Sequence, residues 1–167
     1  MGISPSKRVR HHFRSTPEFT SSCNTIFSDL QSLTQQTSHN NIFAYQLSDA
    51  SIRLHTSLLN SLSSPILKTW CPSPPSRAQV DDAYRSLRKS FSEEGTLSSD
   101  EFREFAVVLF ADAVVSNASR IVASRVCVGV AGIGGVGMVT RVGGGLIGSV
   151  IGVYALGVAT SVYVSLG

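Results

Sequence analysis

The sequence predicts an all-α protein, in which a small helical domain is followed by a glycine-rich membrane segment. Apolar residues recur at intervals of three and four through most of the first 125 positions, whereas 142–166 contains no charged residue. A chain of 167 residues can form one modest core with an anchoring segment but not two full domains. We therefore predict a basic, disordered tail at 1–15, a helical domain at 16–125 and a membrane segment at 126–167.

The domain is predicted to begin with two amphipathic helices. Thr16 is a suitable cap and Pro17 a suitable first residue for helix one, and Ser48 is a suitable cap for helix two. The helix-one stripe contains Phe19, Cys23, Ile26, Phe27, Leu30 and Leu33, and the helix-two stripe contains Ile52, His55, Leu58, Leu59 and Leu62. We expect His55 to pack among the leucines, and the polar sequence TQQTSHNN to form the loop between the helices.

Prolines separate these helices from the second half of the domain. The sequence CPSPPS at 71–76 cannot continue a helix, because proline lacks a backbone donor and disfavours helical conformation in the residue before it. Ser76 can cap a third helix, whose apolar residues recur from Val80 to Phe91. A long helix is predicted to restart near Ser99 or Asp100, and its wide apolar face indicates packing on several sides.

The interruption before the long helix matches the frame of a twelve-residue calcium-binding loop. Gly95 takes the turn position, and the predicted ligands at positions one, three, five, seven and twelve are Ser90, Ser92, Glu94, Thr96 and Glu101. Only Glu94 and Glu101 are carboxylates, so we expect calcium to bind no more tightly than about 10⁻³ M, if at all. The partner loop TQQTSHNN lacks both acids and glycine, which predicts a degenerate EF-hand-like pair of loops.

The C-terminal segment has the length of a membrane span. At ~1.5 Å per residue a helix over 142–166 exceeds the ~30 Å hydrocarbon layer. A shorter apolar arm at 126–140 and a turn at 141–145 would instead give a helical hairpin, and the sequence leaves both arrangements open. A buried soluble core is the alternative, but the rest of the chain has too few apolar faces to enclose this segment.

Glycines in this segment indicate close helix packing. Gly144, Gly148 and Gly152 recur every four residues and would form a flat stripe for self-association. The G-x-G-x-x-G spacing at 132–137 does not predict a dinucleotide site, because no Asp or Glu follows Asp112 and too little chain remains for further βαβ units.

The first residues suggest a second membrane contact. The sequence MGISPSK fits the pattern for myristoylation of Gly2, and the adjoining KRVRHHFR would attract anionic lipid. A disordered basic tail and an organellar transit peptide are the alternatives, and nucleic-acid binding is not expected. With one span, Arg120, Arg125 and Arg141 favour a domain that faces the cytoplasm, and an organellar membrane remains an alternative.

The motifs PSPPSRAQVDDAYR, EFAVVLFADAVVSNA and VIGVYALGVATSVYVSLG resemble those of small plant proteins described as EF-hand-like calcium-binding proteins. The resemblance spans nearly the whole chain and implies calcium-ion binding. No serine, cysteine or histidine is spaced with a base and an orienting partner, so we expect no enzyme. The first hypothesis is a membrane-anchored adaptor or weak calcium sensor. The second is a structural membrane protein that oligomerises through its glycines without binding calcium.

Overall fold

The computed structural model describes residues 4–33, 41–61, 65–91, 95–140 and 144–165, and it describes side chains for all of these except 65, 129–152 and 165. This part of the chain is mostly helical, which confirms the predicted helical class. Two compact units divide the chain, unit 1 at 1–115 and unit 2 at 116–167. The division therefore falls ten residues before the boundary that the sequence suggests.

Seven α-helices are found in the described residues. They are α1 (Pro5–Ser15), α2 (Pro17–Leu33), α3 (Leu47–Ser61), α4 (Pro65–Trp70), α5 (Arg77–Leu87), α6 (Ser99–Thr140) and α7 (Gly144–Ser165). Single 3₁₀ turns at Ala44–Gln46 and Arg88–Ser90 precede α3 and follow α5. Two short strands, β1 (Ile42–Phe43) and β2 (Thr96–Leu97), form an antiparallel pair.

Several helix starts follow from the residues at their ends. Ser76 caps α5, as predicted, and the structure shows that it does so in a reciprocal capping box with Gln79. Helix α2 begins at Pro17 and α6 at Ser99, which confirms both predicted starts. The prediction for Ser48 is wrong, because the preceding 3₁₀ turn starts α3 at Leu47 and places Ser48 inside the helix.

The first half of α6 is the central element of unit 1. Its apolar side chains from Phe102 to Val114 are buried on nearly every side of the helix. Helix α2 buries the predicted stripe from Phe19 to Leu30, although Leu33 at its end is exposed. Helix α3 buries Leu47, Ala50, Ser51, Leu54, His55 and Leu58, and this face leaves the predicted stripe residue Ile52 exposed.

Residues 5–15 form helix α1 and not the disordered tail that we expected. Val9 and Phe13 are fully buried, and the Phe13 ring stacks on Phe19 of α2 at a centroid distance of 5.0 Å. Arg10 pairs with Asp112 of α6 at 3.0 Å, and Arg14 pairs with Glu104 of the same helix. A helix of this length is marginal alone, so these contacts account for its formation.

One helix in the described residues is long and apolar enough to cross a membrane, over Ser99–Val128. In its most apolar window, 56% of the residues are buried inside the protein, as expected for a core helix. The predicted span at 142–166 falls largely on α7, whose backbone is helical. The side chains of 144–152 lie outside the described residues, so the choice of this segment as the membrane span stays a prediction.

We predict that replacing Phe13 with Ala destabilises unit 1 by about 3–5 kcal/mol, because a fully buried aromatic side chain leaves a cavity. Trp70 is the only tryptophan of the chain and is buried in unit 1, so its fluorescence during urea unfolding of the full chain in detergent reports this change. Lys7→Ala on the exposed face of α1 is the control and should leave the midpoint unchanged. Equal midpoints for both variants would contradict the docking of α1.

Candidate functional site

The strand pair joins two inter-helical connections of unit 1, the one between α2 and α3 and the one between α5 and α6. Ile42 lies opposite Leu97 and Phe43 opposite Thr96. The pairing extends by one further bond, in which the backbone N–H of Ala44 donates to the Gly95 carbonyl at 2.9 Å. Because Ile42 and Leu97 are both fully buried, this sheet also contributes to the core of unit 1.

Gly95 has the one left-handed glycine conformation in the described residues, with φ at +88°. A Cβ atom at this position would meet no other atom within 4 Å. The requirement for glycine therefore comes from the backbone conformation and not from crowding. This conformation turns the chain immediately before β2, which is the role predicted for Gly95 in the loop.

Glu101 closes the loop against the start of α6. Its Oε2 accepts hydrogen bonds from the backbone N–H of Ser98 at 2.8 Å and from the Ser98 hydroxyl at 2.9 Å. The Ser98 Oγ accepts a longer bond, of 3.5 Å, from the Glu101 N–H, so the two residues form a capping box. The Glu101 carboxylate thus lies at the N-terminus of α6 and is already hydrogen-bonded to the loop backbone.

The other predicted metal ligands are only partly described. Ser90 ends the second 3₁₀ turn and is exposed, and Thr96 lies in β2. Ser92 and Glu94 fall outside the described residues. Within the described ranges, no three His, Cys, Asp or Glu side chains are close enough to hold a metal ion. Calcium binding by this loop therefore stays a prediction.

A buried polar contact links α3 to the segment after α4. The Nε2 atom of His55 lies 2.8 Å from the carbonyl oxygen of Cys71, and because a carbonyl only accepts, Nε2 carries the proton. The imidazole also stacks parallel to Phe110 at 6.3 Å. His55 is therefore buried, as expected, but it packs on an aromatic ring and is hydrogen-bonded.

The two buried thiols are poorly suited to nucleophilic chemistry. Burial raises the pKa of Cys23 to about 12, with a partly opposing effect of Arg103, and burial raises the pKa of Cys71 to about 11. Both thiols are consequently protonated at neutral pH, and the thiolate is the reactive form. The Cys71 Sγ donates to the Ser73 carbonyl at 3.4 Å, so it lies in a structural contact.

A cavity of about 390 Å³ lies in unit 1 beside α1, with Phe13, Phe19 and Val107 in its walls. Its charged lining residues include Arg14 and Glu104, which pair with each other, and Arg103, which pairs with Asp100 at 2.6 Å. The positive and negative charges around this cavity are thus balanced. No excess charge is left to attract an ionic ligand.

Unit 2 contains a groove where α7 folds back along α6. The Tyr154 hydroxyl donates to the backbone carbonyl of Arg125 at 3.3 Å, although 29 residues separate the two positions. The groove has a volume of about 290 Å³ and is lined by Arg125, Tyr154, Gly157, Val158 and Ser161. Sequence analysis did not find this site, because its residues come from two helices and follow no single spacing.

The exposed side of α7 carries several large apolar residues. Val153, Leu156 and Val164 are 71%, 69% and 66% exposed. Val162 is buried, and Ala155 and Val158 are half-buried, so the helix has a distinct inner face. Gly144, Gly148 and Gly152 also lie in α7, but their surroundings are outside the described side chains, and Gly2 is outside the described residues. Oligomerisation and lipidation therefore stay predictions.

Comparison with known proteins finds no matching family model, no similar curated protein and no similar solved structure. The function must therefore be argued from the residues of this chain.

We predict that Gly95→Ala lowers the free energy of unfolding of unit 1 by about 1–2 kcal/mol, because a left-handed conformation strains a residue with a Cβ atom. Gly95→Asn is the matched control, since asparagine adopts this conformation at lower cost. Urea unfolding of the full chain, followed by Trp70 fluorescence, measures both variants. A Gly95→Ala protein as stable as Gly95→Asn would show that the turn does not need φ above zero.

Proposed function

We propose that the protein is a membrane-anchored adaptor whose unit 1 is a degenerate EF-hand-like pair of helix–loop–helix segments. The observation that carries this proposal is the geometry of 95–101. The sixth loop residue, Gly95, has a positive φ, and the twelfth, Glu101, lies in the first turn of the following helix. Both features match the frame of the twelve-residue calcium loop.

Weak calcium binding fits this unit better than strong binding. The loop has two carboxylates at its ligand positions, Glu94 and Glu101, and calcium affinity rises with the charge of the ligands. Glu101 would also have to exchange its hydrogen bonds from Ser98 for a bond to the metal. The β1–β2 pair and the Ala44–Gly95 bond join the two loops through backbone hydrogen bonds, which do not involve a metal. An adaptor held in one arrangement therefore agrees better with these contacts than a sensitive calcium switch.

Charge and exposure support a lipid environment for unit 2. Residues 116–167 contain Arg120, Arg125 and Arg141 but no Asp or Glu. Val153, Leu156 and Val164 lie on the exposed side of α7, where a helix in water would carry polar residues. Contact with the outer hydrocarbon and interfacial layers of a bilayer would remove Val153 and Leu156 from water, and we propose that the bilayer is the surface that covers them.

The contact between Tyr154 and Arg125 favours the hairpin over a single span. It brings α7 back beside α6, so both ends of unit 2 would lie on the same side of the membrane. Arg125 and Arg141 are 16 residues apart, which is ~24 Å along a helix. A long arginine side chain whose backbone lies within the hydrocarbon can still extend its guanidinium group to the interface. The separation of the two arginines therefore fits a ~30 Å hydrocarbon layer. The end with Arg120 and Arg125 would face the cytoplasm.

We expect millimolar calcium to give a binding heat with the full chain in calorimetry and Glu101→Gln to remove it. Glutamine keeps the capping box with Ser98 but lacks the charge, so the substitution separates metal binding from helix capping. Its urea midpoint in a chelator should equal that of the unsubstituted chain, which is the control for folding. The calcium part of the proposal fails if no heat is observed or if the heat persists in Glu101→Gln.

We expect the full chain to stay with membranes during alkaline carbonate extraction, and Val153→Asp with Leu156→Asp to release it. Both residues are exposed, so the substitutions leave the fold intact but place two charges on the proposed lipid-facing surface beside Tyr154, where each costs less than the about 2.5–3.5 kcal/mol of a charge at the centre of a span. The double variant Asn24→Asp with Asn60→Asp adds the same charge at exposed positions of unit 1 and should stay in the pellet.

Release of the unsubstituted chain would overturn the membrane anchor. Retention of the α7 variant would show instead that this face of α7 does not contact lipid.

A further inference from the structure

We propose that the groove at Arg125 binds the phosphomonoester head group of an anionic phospholipid. This inference rests on the proposed membrane function, since it assigns a ligand to the water-facing end of the hairpin. The groove lies entirely within unit 2 and is formed by the two helices that the Tyr154–Arg125 hydrogen bond holds together.

The charge of Arg125 is not balanced by a neighbouring acid. In unit 1, Arg10, Arg14, Arg53, Arg85 and Arg103 each pair with a carboxylate. Among the described residues no carboxylate pairs with Arg125, and the sequence of unit 2 contains no Asp or Glu at all. Arg125 is therefore available to an anion from outside the protein, unlike the arginines at the cavity in unit 1.

The lining of the groove suits a phosphate group. The Arg125 guanidinium and the Ser161 hydroxyl supply hydrogen-bond donors, and phosphate oxygens are strong acceptors for arginine. Tyr154 uses its hydroxyl to donate to the Arg125 carbonyl, so it positions the two helices. Gly157 has open space where a side chain would begin, which leaves room for the ligand, and Val158 gives the groove an apolar wall.

The same features favour a lipid whose phosphate carries no further substituent. A choline or ethanolamine cap would bring a cation, and unit 2 has no carboxylate to receive it. The volume of about 290 Å³ also suits a small head group. Arg125 directly precedes the apolar arm at 126–140, where an arginine is expected at the level of the lipid phosphates.

The test is native mass spectrometry of the full chain in detergent, titrated with dioctanoyl phosphatidic acid and, separately, with dioctanoyl phosphatidylcholine. We expect selective retention of phosphatidic acid. Arg125→Gln should weaken it about tenfold or more, because a charged hydrogen-bonding partner is lost. Gly157→Leu should weaken it similarly by filling the groove without a clash at the Cβ atom. Arg120→Gln is the control, an exposed arginine of the same helix that does not line the groove.

Three outcomes would overturn the assignment. Equal loss in Arg120→Gln and Arg125→Gln would mean diffuse charge attraction, and unchanged retention in Gly157→Leu would mean that the groove is not the site. Competition by inorganic phosphate at the same concentration as phosphatidic acid would identify a free anion as the ligand. Carbonate extraction separates this inference from the membrane anchor: a chain that binds the probe but is released from membranes supports the site and contradicts the anchor.

Discussion

Burial of the first half of α6 on nearly all sides is the constraint on which unit 1 depends. Phe110 of this helix contacts both Phe19 of α2 and His55 of α3, so one ring links two of the surrounding helices. A helix enclosed in this way can carry polar residues only where a neighbour receives them. Its acids Glu104 and Asp112 meet this condition, because both pair with arginines of α1. The docking of α1 and the enclosure of α6 therefore depend on each other.

The two units differ in how their positive charges are balanced. In unit 1, Arg10 and Arg14 of α1 meet acids that lie about one hundred positions later, so part of the excess positive charge at the N-terminus is compensated by the fold. In unit 2 the arginines have no acid in the same sequence region. Surface ion pairs contribute only about 0–1 kcal/mol each to stability. The ion pairs of α1 therefore determine where this helix docks more than they stabilise unit 1. Of the described arginines in unit 2, Arg120 and Arg125 therefore have no carboxylate of their own unit to pair with.

Local features of the sequence were sufficient to predict much of the fold. The 3.6-residue period of α2, the cap at Ser76 and the helix start at Pro17 depend on neighbouring residues, and all three are found in the structure. Helix α1 could not be predicted in the same way, because Val9 and Phe13 are two apolar residues among cations and their partners are distant. The pairing of Ile42 with Leu97 and the contact of Tyr154 with Arg125 are likewise non-local. In the candidate sites, spacing could therefore place Gly95 and Glu101, but not the groove.

Hydropathy alone does not separate the two kinds of apolar helix in this chain. Ser99–Val128 is long and apolar enough for a membrane span, yet its first half is the core of unit 1. The ionisable residues make the difference. Asp100 and Arg103 pair with each other, Glu101 caps the helix, and Glu104 and Asp112 receive α1, so each charge in this half has a place at the edge of the core. The sequence at 142–166 carries no charge that a folded neighbour would need to receive. On the proposed function, α7 and not the buried first half of α6 would therefore supply the lipid-facing surface.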